Sequence, residues 1–313
     1  MLTPMPNADS IEFKQEFIER YSQLTDFEEF RRVSLSFPRK AFRINTLKAD
    51  VRDVLEGFKR EWDIKQVPWC AEGFFVESER RDIGNTLEHS LGLIYVQDAA
   101  SMIPAVVLNP SPGEVVLDMC AAPGSKSTQI AQYMKNQGLL ISNDSDYKRI
   151  KALAMNLQRC GVANAVITLT DAQKYSFMKN FFDKILLDAP CSGTGTINKS
   201  VETIKMWNPS MVKRLSSIQK RLINAAFSAL KPGGTIVYST CTMEPEENES
   251  VVNFLLSKHE DANLEEISLN IKRSRPIMEF EGERFREEIS KCLRIWPQDN
   301  LTEGFFVAKI LKG

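Results

Sequence analysis

Val115-Val116-Leu117-Asp118-Met119-Cys120-Ala121-Ala122-Pro123-Gly124-Ser125-Lys126-Ser127 is the stretch from which the rest of the chain can be read. An apolar, β-branched run ending in Asp reads as a buried strand, and the small residues and Pro-Gly turn behind it lead into a helix. Such a turn lets backbone approach a bound molecule closely and aims the first amide groups of the helix at it. The spaced Gly-Lys-Ser/Thr of a triphosphatase loop and the three glycines of a dinucleotide site are both missing.

Working outward, residues 139–143, Ala165–Leu169, 184–187 and 235–239 also read as buried strands, several of them followed by helical stretches. Strands alternating with helices predict an α/β fold, a doubly wound, mostly parallel sheet covered on both faces. The clearest helix runs over 209–230: Asn208 caps it, Pro209 opens it, Leu215, Ile218, Leu222, Ala226 and Leu230 recur at helical spacing, and Pro232-Gly233-Gly234 stops it. After it come a strand near 264–267 and a final pair at 293–296 and 304–310. Upstream, Asp9 with Glu12 and Thr25 with Glu28 read as capping boxes of two short helices, the first with Phe13, Phe17, Ile18 and Tyr21 on one face. Phe42, Ile44 and Leu47 alternate with Arg43, Asn45 and Lys48 as a half-buried strand. A helix over 51–59 and an extended piece at 66–69 complete a small amino-terminal α+β domain, residues 1–90, ahead of a larger domain, residues 91–313.

The chain is long enough, at 313 residues, for two such domains. Forty Lys and Arg against forty-one Asp and Glu leave a formal charge of -1, so any nucleic-acid surface has to be a local patch. Six Cys without metal-ligand spacing fit reduced thiols in a cytoplasmic protein, and only His89 and His259 offer imidazoles, which argues against a metal site and against Ser/His/Asp chemistry. No apolar run is long enough for a membrane span. The oligomeric state stays open, a monomer included.

In a doubly wound sheet, ligands bind beyond the carboxyl ends of the strands. The second end gives Asp144, about twenty-six residues past Asp118, where an acid can accept both hydroxyls of a ribose. Asp171 follows the third and could meet an adenine amino group. One Asp at a strand end is most often a helix cap; a series of them points to a nucleoside cofactor without a pyrophosphate, and S-adenosylmethionine fits. The fourth end reads Asp188-Ala189-Pro190-Cys191-Ser192-Gly193-Thr194-Gly195, and the fifth Ser239-Thr240-Cys241-Thr242-Met243-Glu244-Pro245-Glu246-Glu247-Asn248. Two thiols would then meet over one cleft, whereas Cys70, Cys120, Cys160 and Cys292 read as small buried hydrophobes.

These segments resemble the Sun-type (NOL/NOP/Sun) RNA cytosine-5 methyltransferases. Further similar segments are Arg43-Ile44-Asn45-Thr46-Leu47-Lys48, Tyr95-Val96-Gln97-Asp98-Ala99-Ala100-Ser101 and Arg294-Ile295-Trp296-Pro297 with Gly304-Phe305-Phe306, so the likeness covers about residues 40–310. Departures are Ser125 and Ser127 beside Lys126, where many members have Gly and Thr, and Gln298, where many have His. The resemblance implies a Rossmann-like domain that moves a methyl group from S-adenosylmethionine to carbon 5 of cytosine in RNA, tRNA ahead of rRNA, through a covalent cysteine adduct. It implies Cys241 as nucleophile and Cys191 in product release; sequence alone does not rank the two thiols. Asp188 would hold the base and Lys126 would favour the thiolate. The cofactor would lie on Ala121, Ala122, Pro123, Gly124, Ser125 and Lys126, with Asp144, Arg149, Asp171 and Asp188 around it. The 1–90 domain, through Arg31, Arg32, Arg39, Lys40, Arg43 and Lys48, would contact RNA phosphates together with Lys213 and Arg214. The competing reading from another class is a catalytically idle RNA-binding or assembly factor, against which the presence of both Cys191 and Cys241 argues. An amino-group methyltransferase would want Asn/Asp-Pro-Pro-aromatic where Asp188-Ala189-Pro190-Cys191 stands.

Overall fold

The computed structural model describes residues 2–77 and 82–313. Strands β1 (Ala41–Ile44), β2 (Ile64–Gln66), β3 (Gly73–Val76) and β4 (Ile94–Val96) form a small antiparallel sheet in the order β2-β3-β1-β4. Its core is Phe42, Ile44, Phe58, Trp62, Phe74 and Ile94, with the helix Val51–Phe58 laid against it. Because β4 pairs with β1, this sheet runs past the boundary expected at residue 90. The extended piece expected at 66–69 lies earlier, at β2, and Val67 to Trp69 turn the chain toward β3.

The larger sheet holds β5 (Val115–Asp118), β6 (Leu139–Asp144), β7 (Ala165–Leu169), β8 (Phe182–Asp188), β9 (Leu230–Thr240), β10 (Ala262–Glu265) and, past a two-stranded hairpin of β11 (Glu279–Phe280) and β12 (Glu283–Arg284), β13 (Leu293–Ile295) and β14 (Phe305–Lys312). Its order is β10-β14-β9-β8-β5-β6-β7, with β13 on β14. Strands β5 to β9 are mutually parallel and β14 runs antiparallel beside β9, so the expected doubly wound, mostly parallel sheet is present. Apolar side chains fill both faces: Leu117, Ile185, Leu187, Ile236 and Tyr238 toward one core, Val116, Leu140, Leu186 and Val237 toward the other. β7 departs from its reading as a buried strand. It closes the sheet as an edge, and Val166 and Leu169 are each half exposed.

Four local expectations shift. The helix Gln15–Leu24 starts at Lys14 without a side-chain cap, Asp9 lying in a separate 3-10 turn, and Asp26 rather than Thr25 caps Phe27–Ser34 by accepting from the Glu29 N–H. The helix Pro209–Ala229 begins as expected, with Asn208 accepting from the Met211 N–H. Its most buried face, however, is Val212, Ser216, Gln219, Ile223 and Ala226, leaving Leu215 and Ile218 half-buried, because Ser216 and Gln219 turn inward to bind loop backbone. The two amino-terminal helices leave the small sheet altogether. Phe17, Tyr21 and Phe30 pack on Trp207, Met243 and Trp296 of the larger domain.

Arg43 overturns both the half-buried reading of its strand and its expected contact with RNA. It is fully buried. Its guanidinium donates to Gln132 Oε1 and to Thr128 Oγ1 at 2.8 Å on the helix Ser125–Tyr133, tying the small sheet to the helix behind the Pro-Gly turn. The other basic residues of the expected patch remain at the surface, mostly engaged with neighbours. Arg31 pairs with Glu28, Arg32 grips Glu29, Arg39 pairs with Glu77 and stacks on Phe75, and Lys48 donates to the Leu91 and Arg159 carbonyls. Lys40 is half-buried; Lys213, which faces Glu281, and Arg214 are exposed.

Candidate active site

Register brings the fourth and fifth strand ends together. Asp188 at the end of β8 lies beside Ser239 of β9, so chain leaving both strands enters one space. There Cys191 Sγ and Cys241 Sγ stand 3.4 Å apart. The loops carrying them are laced together: Thr242 Oγ1 meets Ser192 Oγ at 2.6 Å and Thr194 Oγ1 at 2.9 Å, and the Met243 N–H donates to Thr194 Oγ1. Gly195 N–H donates to the Cys241 carbonyl. A Cβ on Gly195 would lie 2.4 Å from the Gly304 carbonyl oxygen, so only glycine allows this approach.

Lys126 supplies the charge beside the sulfurs. Its Nζ binds Asp188 Oδ2 at 2.8 Å and Ser101 Oγ at 3.0 Å, and the Ser239 hydroxyl donates to Asp188 Oδ1 at 2.8 Å. Burial works against the ammonium, but the Asp188 charge and hydrogen bond outweigh it and its pKa is raised. The two thiols are driven apart. Donation from Cys191, aided by Lys126 and Lys199, holds the Cys241 thiol below its ordinary range against burial and Asp188. Cys191 is pushed well up, first by its hydrogen bond to Cys241 and then by burial and nearby carboxylates. The two sulfurs therefore titrate as a pair in which Cys241 is the one favoured as thiolate. At Cys120, desolvation and the charges of Asp118, Asp188 and Asp144 all push the thiol up, which disfavours its thiolate.

The turn Ala121 to Gly124 sits between the β5 and β6 ends. The Ala121 N–H donates to the Asn143 carbonyl at 2.6 Å and the Ala122 N–H to Asp144 Oδ2 at 3.2 Å. Gly124, at φ 105, turns the chain into the helix of Ser125 and Lys126. Arg149 bridges the Ala122 carbonyl, at 2.5 Å, and Asp144 Oδ2, at 3.3 Å, so it belongs to the loop rather than to an idle helix face. Asp171 is exposed and caps the turn Ala172–Phe177 through the Gln173 N–H. The donor set fits S-adenosylmethionine, whose ammonium and ribose hydroxyls need acceptors. Asp118, Asp144 and Asp188 stand at the carboxyl ends of β5, β6 and β8, and buried Asp118 Oδ1 and Ser142 Oγ have no hydrogen-bond partner. Among the described residues, no group of three His, Cys, Asp or Glu could hold a metal, and no helix is long and apolar enough to cross a membrane.

Sequence reading did not single out Ser101, Ser239, Lys199, Gln219 or Glu247 for a role. Ser101, Ser239 and Glu247 lie inside the quoted motifs, where adjacency to a strand end could have flagged them. Lys199 and Gln219 come from a loop and a helix with no local signature, and only tertiary packing brings them here.

A Rossmann-like sheet whose acidic strand ends surround a Pro-Gly turn, with paired thiols beside them, defines an S-adenosylmethionine-dependent methyltransferase. The 16S rRNA methyltransferase RsmB/F family matches residues 105–311, and the N-terminal domain of 16S rRNA methyltransferase RsmF matches residues 13–99. The chain belongs to this RsmB/F family, the Sun-type group that its motifs resemble. It is 47% identical to the tRNA (cytosine(49)-C(5))-methyltransferase of Pyrococcus abyssi, over 96% of this chain and 99% of that protein. It is 42% identical to the ribosomal RNA small subunit methyltransferase F of Aliivibrio fischeri over 88% of its own length, spanning only 58% of that relative. Among solved structures, a methyltransferase homolog from Pyrococcus horikoshii superposes with TM-score 0.87 at 37% identity, covering 98% of each chain. NSun6 from the same organism with SFG gives 0.83 at 26% identity, covering 96% of this chain and 99% of that one.

Proposed function

We infer that the chain methylates carbon 5 of cytosine in tRNA, with Cys241 as nucleophile and Cys191 in release. The observation that carries this reading is the 3.4 Å sulfur pair beside Lys126 and Asp188. The tRNA assignment is supported by the higher identity and nearly full-length match to the Pyrococcus abyssi enzyme, and cytosine 49 is the position to test first. Free thiols at all six cysteines suit a reducing cytoplasm.

Carbon 5 of cytosine is a weak nucleophile. The Cys241 thiolate adds to carbon 6, forming a C–S bond and moving the ring electrons to carbon 5. Asp188, oriented by Ser239 and Lys126, accepts from the cytosine amino group and, once ring nitrogen 3 has taken a proton from solvent as the thiolate adds, from that N–H, so the charge that develops on the ring is neutralised. The 121–126 turn, Asp144, Arg149, Asp171 and Asp188 would hold S-adenosylmethionine, which would supply an electrophilic methyl group to carbon 5. Once the Cys241 sulfur is bonded to carbon 6, it no longer holds the Cys191 proton, and the largest influence raising Cys191 disappears. Cys191 then gives that proton to solvent and takes the one on carbon 5; the C–S bond breaks and Cys241 leaves as thiolate. The target base has to be unpaired or flipped to reach these sulfurs.

The test is methylation of an unmodified tRNA transcript, mapped by bisulfite sequencing. Cys241→Ala is expected to give no product, and Cys191→Ala a denaturant-resistant protein–RNA adduct. Normal product from Cys241→Ala would refute the assignment. An rRNA transcript in parallel separates the two substrates, and binding without product by the unsubstituted protein on both would favour the idle-factor reading.

A further inference from the structure

Pro190-Cys191-Ser192 lies in neither helix nor strand, and two side chains from elsewhere fix it. Gln219, inside the helix Pro209–Ala229, donates from Nε2 to the Pro190 carbonyl at 2.9 Å and to Glu247 Oε2 at 2.8 Å. Glu247 Oε2 also accepts the Ser192 N–H at 3.0 Å. Backbone groups on both sides of Cys191 therefore end on one hydrogen-bonded pair of side chains. Both side chains are fully buried, yet Glu247 Oε1 and Gln219 Oε1 have no hydrogen-bond partner. Burying a carboxyl group with an unsatisfied oxygen is unfavourable, so the pair stands there against a desolvation cost. Cys241 has a separate anchor, through its carbonyl, in Gly195.

We propose that Glu247, held by Gln219, is the positioning residue for Cys191 and thereby governs release of the methylated base rather than the attack on it. The proposal rests on the reading in which Cys191 takes the carbon-5 proton. Burial raises the Glu247 pKa to about 7, in keeping with a carboxyl group retained at a site where desolvation opposes its charge.

Each variant is incubated with unmodified tRNA transcript and S-adenosylmethionine, and adduct on denaturing gels is compared with product and with KM for the RNA. Glu247→Ala and Gln219→Ala are each expected to hold on the order of ten-fold more adduct per product than the unsubstituted protein, with KM unchanged, because misplacing a reacting group slows its step alone. Glu247→Gln keeps an oxygen able to accept the same two N–H groups and is expected to restore most of the loss. Gln219→Ala, a favourable exchange for helix propensity, carries the test independently of how well Glu247→Ala folds. Adduct and product falling together, or an unchanged ratio in Gln219→Ala, overturns the proposal. Cys191→Ala is run beside them. Adduct there and none in the clamp variants sinks the clamp alone, whereas no adduct in Cys191→Ala sinks the release role on which it rests.

Discussion

Two titrating residues at the strand ends lend themselves to direct measurement. Cys241 is held low chiefly by the Cys191 hydrogen bond, so Cys191→Ala is expected to move the pH midpoint of Cys241 alkylation by iodoacetamide upward, as read by peptide mass spectrometry. Lys126→Met should act in the same direction. Asp118 behaves oppositely to a salt-bridged acid: burial raises its pKa to about 7, so its folded form favours the proton. Its contribution to stability is complete below about pH 4 and is lost as the pH climbs through 7. In urea unfolding of ligand-free protein, Asp118→Asn is therefore expected to gain stability relative to the unsubstituted chain between about pH 4 and pH 8. The motifs made the thiols, Lys126 and Asp188 legible before any coordinates, because strand-end chemistry is local in sequence. The partners that orient them were not, since Gln219 reads simply as one polar residue on a long helix.

Helices and strands follow the same division. Boundaries set by local chemistry were readable in part: Asn208-Pro209 opens its helix where expected and β5 to β7 fall where the apolar runs stand, whereas β8 starts two residues early and β9 already at Leu230, running through the Pro232-Gly233-Gly234 read as a stop. Asn208→Ala is expected to cost about 1 kcal/mol in chemical denaturation, because the Met211 N–H loses its acceptor. What periodicity did not reveal is which face of an element meets which neighbour. β7 looks apolar yet lies at the sheet edge, and the Pro209–Ala229 face is rotated by its inward polar residues. Helices that precede the small sheet in sequence pack instead on Trp207 and Trp296, contacts separated by well over a hundred residues that no local pattern encodes.

For the whole molecule, a net charge of -1 means that RNA affinity has to come from local cations, so binding is expected to weaken linearly in log Kd against log salt. Charge-reversal of exposed Lys213 and Arg214 should reduce that slope, as measured by filter binding. Arg43 belongs to a different ledger. Arg43→Met leaves Gln132 and Thr128 without their donor in the interior and is expected to lower stability by about 3 kcal/mol in urea titration. Ala41 and Phe75 of the small sheet, with Trp69 from the turn between its strands, share an apolar cluster with Leu140 and Val237 of the large sheet and with Ile130 on the helix Ser125–Tyr133. With Arg43 crossing the same seam, the two sheets are expected to melt together. Scanning calorimetry should therefore record one heat-absorption peak, with the small sheet giving way at the same temperature as the large one.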